Sequence, residues 1–242
     1  MVIIGNEILS GRTQDTNGNF LGKALTQRGI SLREVRIVPD DERLIIEAVT
    51  MLSERYDTVF TTGGIGPTHD DITAAAIAKA FGQQIILHPE AHQTLLAYYG
   101  EENLTEARLK MAKLPDGAEL VPNPVTGAPG FRVENVYVMA GVPKIMQSML
   151  ESILPKLKGG TPLVSLSLMV DLVESQIADA LTRMQEAHPD IDIGSYPSFK
   201  EGQKSVSVVL RSPDKAGVDA LGDKIEAAMK ALGGCVLKRE YL

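Results

Sequence analysis

Within its first 158 residues the chain keeps returning to one local pattern: a short apolar run breaks on glycine and a helix-forming stretch follows. Residues 1–4 run into Gly5, residues 57–62 into Gly63-Gly64-Ile65-Gly66-Pro67-Thr68, and residues 135–140 into Gly141-Val142-Pro143. Short apolar runs of this kind suit strands buried on both faces, and the helices between them supply the crossovers that parallel strands need. Helical stretches are expected at 16–28, stopped by Gly29, at 72–81, ended by Gly82, and at 89–99, 104–113 and 143–157. Another starts at Asp40-Asp41-Glu42, where Leu44, Ile45, Ala48, Val49 and Leu52 make an apolar stripe of helical period behind an acidic first turn. Residues 31–38 alternate as a further strand. The pattern predicts an α/β fold with a mostly parallel sheet covered on both faces. Such sheets bind ligands where loops leave the carboxyl ends of the strands, so the glycine loops should line one shared pocket.

A second pattern follows the linker Gly159-Gly160-Thr161-Pro162. Residues 163–170 alternate as a strand, and 172–187 form a helix stopped before Pro189. Residues 190–196 and 205–211 are strands around a Pro/Gly turn, 213–232 is a helix ended by Gly233-Gly234, and a last strand is expected at 235–238. That order describes a small α+β unit. The expected domains are residues 1–158 and 163–242.

Composition limits the partners. Lys and Arg number 24 against 31 Asp and Glu, for a net charge of −7, and neither domain carries the basic excess that counterion release from nucleic acid requires. Aromatic residues are 5% with no Trp, which leaves few platforms for stacking bases. Nucleic acid is therefore not an expected partner. The single cysteine, Cys235, excludes an internal disulfide and any multi-cysteine metal site. No uncharged run is long enough to cross a bilayer and no leader precedes Met1, so the expected location is the cytoplasm, away from membranes.

The densest signal is Thr62-Gly63-Gly64-Ile65-Gly66-Pro67-Thr68-His69-Asp70-Asp71. Glycines let backbone N–H groups approach an anion, and the N-terminus of the following helix adds partial positive charge. The spacing is neither the dinucleotide fingerprint nor a Walker loop, so the pattern alone leaves a tight turn and a phosphate or pyrophosphate cradle both open. One of Asp70 and Asp71 is expected to cap the helix from Ile72. The other has no such need, and two carboxylates beside a phosphate call for a bridging divalent cation. Glu7 follows a buried strand, where an acid has no packing role, although a solvated loop acid fits the same residue; Asp15 or Thr16 is the expected cap of the next helix. The Pro- and Gly-rich stretch from Asn123 to Gly130 forms a third loop, and Pro143 sits at the first helical position after a fourth. His88 and His92 do not align on one helix, because Pro89 opens it. Met146 and Met149 read as core.

Taken together, these loops resemble the molybdopterin-binding (MoaB/Mog-like) domain. Gly5-Asn6-Glu7-Ile8-Leu9-Ser10-Gly11, Thr16-Asn17, Asn123-Pro124 through Ala128-Pro129-Gly130, and Gly141-Val142-Pro143 resemble its competence/damage-inducible protein A (CinA) branch in particular. The same domain type is similar to the N-terminal part of eukaryotic FAD synthases. The resemblance implies a three-layer α/β/α sandwich with one antiparallel strand, and a KH-like domain at 163–242 with a structural or dimerising role. It implies metal-dependent hydrolysis of a pyrophosphate such as that in ADP-ribose, with Asp70, Asp71 and Glu7 positioning Mg²⁺, Co²⁺ or Mn²⁺ as catalytic and metal residues. Thr62, Gly63, Gly64, Gly66, Pro67, Thr68, Asn17, Lys110, Asn123, Gly127, Gly130, Gly141 and Pro143 would contact a nucleotide or pterin ligand. The alternative is a protein that binds molybdopterin, or its nucleotide adduct, without turnover. A homo-oligomer, dimer or trimer, is expected. Lys110-Met111-Ala112 departs from the branch's Lys-Gln-Ala, and the nicotinamide-mononucleotide deamidase domain of larger members is not expected after Leu242.

Overall fold

The structure, a computed structural model, describes residues 1–200 and 203–241 and divides the chain into two compact units. One comprises Met1–Leu25 with Ser31–Lys158, the other Thr26–Ile30 with the chain from Gly159 onward.

In chain order the first unit contains β1 (Val2–Ile4), α1 (Asn6–Leu9), α2 (Asn17–Thr26, all but its last residue), β2 (Arg36–Val38), α3 (Glu42–Arg55), β3 (Val59–Thr62) and α4 (Thr73–Ala80). It continues with β4 (Ile85–Leu87), α5 (Pro89–Tyr99), α6 (Glu106–Leu109), β5 (Lys113–Pro115), β6 (Glu119–Val121), β7 (Gly130–Val133), β8 (Val136–Met139) and α7 (Pro143–Ile153). Six strands form one sheet in the order β2-β1-β3-β8-β7-β6. The pairs β1–β2, β1–β3 and β3–β8 are parallel, and β7 runs antiparallel to both of its neighbours. The sheet is thus mostly parallel, as expected, with one reversed strand.

Every residue of β1, β3 and β8 is buried, which is why these runs are apolar without alternation. On one face Val2, Ile4, Val59, Val136 and Val138 pack with Ile45, Val49 and Leu52 of α3, Ala76 and Ile77 of α4, and Leu95 of α5. The residues of opposite parity, Ile3, Phe60 and Met139, turn to the other face. There remain for that face the buried residues of α2 (Leu21, Leu25) and α7 (Met146, Met149, Leu150, Ile153).

Several local expectations change. The strand expected over 31–38 is only Arg36–Val38, because this is the free edge of the sheet and only its last residues pair with β1. The helix expected over 104–113 is broken into α6 and a 3₁₀ turn at Lys110–Ala112, since Lys113–Pro115 is taken by antiparallel pairing with β4. The Gly5 loop contains a four-residue helix, α1. Caps follow side-chain chemistry: Asp41 accepts from the Leu44 N–H at 3.0 Å, and Asp15 accepts from the amides of Asn17 (3.1 Å) and Gly18 (3.0 Å). His88 caps α5 just outside its Pro89 start, so the two histidines do not form a helical pair.

The second unit has a four-stranded antiparallel sheet in the order β10-β11-β9-β12, built from β9 (Val164–Val170), β10 (Asp192–Lys200), β11 (Gln203–Ser212) and β12 (Val236–Tyr241). Helices α8 (Glu174–Ala187) and α9 (Lys215–Ala231) supply Ile177, Leu181, Val218, Leu221, Ile225 and Met229 to a core against Leu166, Leu168, Val170, Val206, Val208 and Leu210. β9 keeps within its expected bounds, β10, β11 and β12 run past their expected ends, and Glu201-Gly202, in the turn expected between two of them, lies outside the described residues. Among the described residues no helix is long and apolar enough to cross a membrane.

Phe131 of β7 is fully buried in the first core. Phe131→Ala should cost about 3–5 kcal/mol of stability in chemical denaturation, whereas Ile37→Ala, on the exposed edge strand, should stay within about 0.5 kcal/mol.

Candidate functional site

Because β1, β3 and β8 are adjacent and parallel, the chain leaves all three at the same edge of the sheet, through Gly5, Gly63 and Gly141. These turns enclose a cleft of about 610 Å³, within the usual range for a small-molecule site. Its walls include Glu7, Asp40, Gly63, Gly64, Gly66, Pro67, Thr68, Asp70, Asp71, Asn123, Gly141 and Pro143. The shared pocket expected from the glycine loops is therefore present.

Two glycines are required by geometry. Gly63 has φ +105° and a Cβ there would collide with the Ile4 carbonyl oxygen; Gly64 has φ +67° and a Cβ would collide with the Thr73 hydroxyl. Thr73, first residue of α4, holds this turn from below: its N–H donates to the Gly64 carbonyl and its hydroxyl to the Gly63 carbonyl, each at 3.0 Å.

The two aspartates do not do what capping logic expects. The N-cap of α4 is Ile72, with no side-chain cap. Asp71 instead accepts from the Thr68 N–H at 2.8 Å and, through the same oxygen, from the Thr68 hydroxyl at 2.6 Å, while Asp70 accepts from that hydroxyl at 2.5 Å. The Thr68 hydroxyl has one proton to give, so the two carboxylates share or compete for it, and neither draws a full hydrogen bond of its own from that group. Two carboxylates brought this close repel, and a cation between them would relieve it. The Thr68 hydroxyl and a backbone N–H hold the Asp70 carboxyl below the usual carboxylate range. Among the described residues no three His, Cys, Asp or Glu side chains converge as a ready ligand set. Two carboxylates with room for ligand oxygens do suit Mg²⁺, which takes one or two carboxylates and completes its shell with water and substrate phosphate.

Asp40 was not singled out in the sequence, where it reads as part of an acidic helix start. The helix begins at Glu42 behind its cap Asp41, which frees Asp40 to face the cleft and accept from the Asn6 N–H at 3.0 Å. Its place just past β2, at the carboxyl end of a parallel strand, is the signal that could have found it. Arg108 and Tyr99 also line the cleft, with the guanidinium 4.3 Å from the ring centre, and had no sequence signal.

Other expected contacts lie elsewhere. Thr62 and Asn17 are buried and do not line the cleft; among the described residues the Thr62 hydroxyl and the Asn17 Oδ1 have no hydrogen-bond partner. Asn17 Nδ2 donates to the Gly141 carbonyl at 2.7 Å, tying the start of α2 to the turn after β8. Asn123 lines the cleft, but its amide folds its own loop, accepting from Val125 and Thr126 N–H and donating to the Ala128 carbonyl at 2.8 Å. Gly127 packs on Tyr98, and Gly130 sits in β7 against the Val138 carbonyl. Lys110 donates to the Thr68 carbonyl from a smaller hollow of about 150 Å³ that it shares with Gly64, Gly66 and Asp71.

Residues 1–159, which hold the whole cleft, match the family described as "Probable molybdopterin binding domain". The chain belongs to this molybdopterin-binding-domain family. A protein of Archaeoglobus fulgidus is 38% identical over 215 residues, covering 89% of this chain and 91% of that one. A "CinA-like protein" of Desulfosudis oleivorans is 34% identical over 246 residues, which span 96% of this chain and 59% of that one. A solved structure of CinA from Thermoplasma acidophilum, itself of unknown function, superposes with a TM-score of 0.61 at 39% identity, over 64% of this chain and 94% of that one. Within this molybdopterin-binding-domain chain, residues 162–233 match a different family, "FAD synthase, middle domain", where the sequence resemblance pointed to a KH-like domain.

Asn17→Ala should leave the Gly141 carbonyl without its donor, at a cost of about 1–3 kcal/mol. Denaturation would measure the loss, and faster hydrogen exchange at the Gly141 turn would locate it. Asn17→Asp, which has no donor when ionised, should fall at least as far.

Proposed function

We propose that the cleft is the active site of a divalent-metal-dependent nucleotide pyrophosphatase acting on an ADP-ribose-like substrate. The observation that carries the reading is the pair of carboxylates crowded on one Thr68 hydroxyl beside a glycine turn. Asp70 and Asp71 would hold the metal, with Glu7 facing the same cleft. When bound, Mg²⁺, Co²⁺ or Mn²⁺ supplies an acidified water and neutralises charge on the phosphoryl oxygens. The chain's own contribution is positional: the Gly63–Gly66 backbone lets a diphosphate approach without Cβ interference, and the Thr68 amide and hydroxyl set the orientation of the carboxylates. The C-terminal unit we read as KH-like, with a structural or dimerising role in a dimer or trimer.

A second reading is a non-catalytic protein that binds molybdopterin or its nucleotide adduct, with the pterin's own sulfurs holding molybdenum. The family description of residues 1–159 favours it, as does the engagement of both carboxylates within the protein.

The test is AMP release from ADP-ribose with each of the three metals. Wild type should turn over only with metal, and EDTA should abolish the activity. Asp71→Asn keeps an acceptor oxygen for the Thr68 amide but loses the charge, so it should fold normally and lose on the order of 100-fold in kcat. Normal turnover by this variant removes Asp71 from the chemistry. No AMP with any metal, together with a pterin found by mass spectrometry in the purified protein, would establish the second reading instead.

A further inference from the structure

Three arginines of the first unit stack on tyrosines, and one of them differs from the others. Arg55 over Tyr56 is also 3.5 Å from the Glu34 carboxylate, and Arg132 over Tyr137 is 3.3 Å from that of Glu119. Arg108, held closest to its ring at 4.3 Å, has no carboxylate within ion-pair distance among the described residues. Its Nη1 donates to the Asn103 carbonyl at 2.6 Å, which with the Tyr99 face fixes the guanidinium plane. This arrangement occurs in a cleft whose walls carry four acids, Glu7, Asp40, Asp70 and Asp71, with Arg108 the one basic side chain among its described lining residues, while Lys110 reaches Thr68 from the adjoining hollow. A guanidinium that stands among carboxylates, pairs with none of them and is held in plane is pre-organised for an anion that arrives from outside.

We propose that Arg108, braced by Tyr99, binds the second phosphate of a diphosphate ligand and so makes the cleft selective for nucleoside diphosphates over monophosphates. This rests on the reading of the cleft as a phosphate site. The glycine turn and the carboxylate-held cation take one phosphate; a ligand with a second phosphate also engages the guanidinium fork, and a monophosphate leaves it empty. Tyr99 is a positioning residue here: its ring holds the guanidinium, without which Arg108 would be free to swing onto a neighbouring acid.

The test is calorimetric binding of ADP and AMP in the presence of Mg²⁺, on the full chain. Wild type should bind ADP at least about tenfold more tightly than AMP, as a charged bidentate contact allows. Arg108→Ala should weaken ADP by about 10–100-fold with little change for AMP, so that the preference collapses. Arg108→Lys keeps the charge without the fork and should recover only part of it, and Tyr99→Leu should lower ADP affinity while the arginine is intact. Arg132→Ala, an arginine–tyrosine pair outside the cleft, should leave both affinities unchanged. A wild type that binds ADP and AMP equally, or an Arg108→Ala that keeps the wild-type preference, overturns the role of Arg108 while the phosphate site stands. A wild type that binds neither nucleotide overturns both.

Discussion

The cleft exists because three stretches of backbone approach one another with no side chains between them. Gly63 lies against the Ile4 carbonyl, and a Cβ on Gly141 would stand 3.2 Å from the Gly63 Cα. Only with β1, β3 and β8 adjacent and parallel can three consecutive strand ends meet in this way. The surrounding hydrogen bonds then lock what the glycines permit. Gly63 N–H donates to the Met139 carbonyl at 3.1 Å, and Asn17 reaches across from α2 to the Gly141 carbonyl. The glycine turn is thus held by β8 and α4, and the turn after β8 by α2.

The electrostatics of the cleft follow from that architecture. Loops at the carboxyl ends of parallel strands bring Glu7, Asp40, Asp70 and Asp71 into one space, and concentrated like charge costs free energy unless a proton, a cation or a hydrogen-bond donor answers it. Donors answer part of it, through the Thr68 amide and hydroxyl at Asp71 and Asp70 and the Asn6 amide at Asp40. The remainder is a negative field with the Lys110 ammonium beside Asp70 and the Arg108 guanidinium in the cleft wall at its margin. Such a cleft suits a ligand that comes with a cation and carries enough negative charge to use both.

Much of this was legible in the sequence wherever a residue has a single physical use. The continuous apolar runs of β1, β3 and β8 announced strands buried on both faces, and the glycines after them announced the turns. The short strands β4 to β7 escaped because three or four residues carry no period, and because Lys113–Pro115 continues a helical pattern until tertiary pairing claims it. At the site, backbone-determined positions such as Gly63, Gly64 and Gly141 were readable. Asn17 and Thr62 carry polar groups next to loops and so suggest ligand contacts, yet both are buried, since polarity near a loop does not say which way a side chain turns. Arg108 has no sequence signal: the role proposed for it depends on Tyr99, nine residues away, and on its having no carboxylate partner among the described residues, which only the fold decides.

Asp70 and Asp71 link the architecture of the cleft to its chemistry. Had either capped α4, its charge would have been sufficiently explained by a helix start, a contribution of about 1 kcal/mol. Instead the helix is anchored by Thr73 to the Gly63 and Gly64 carbonyls, and its cap position is an isoleucine. The fold of α4 therefore does not need these carboxylates. A neutral acceptor would satisfy the Thr68 amide equally well, and it would do so without setting two negative charges on one proton. What folding leaves unexplained is the charge itself, and charge that folding does not use, in a cleft beside a glycine turn, is what the proposed cation and phosphate would answer.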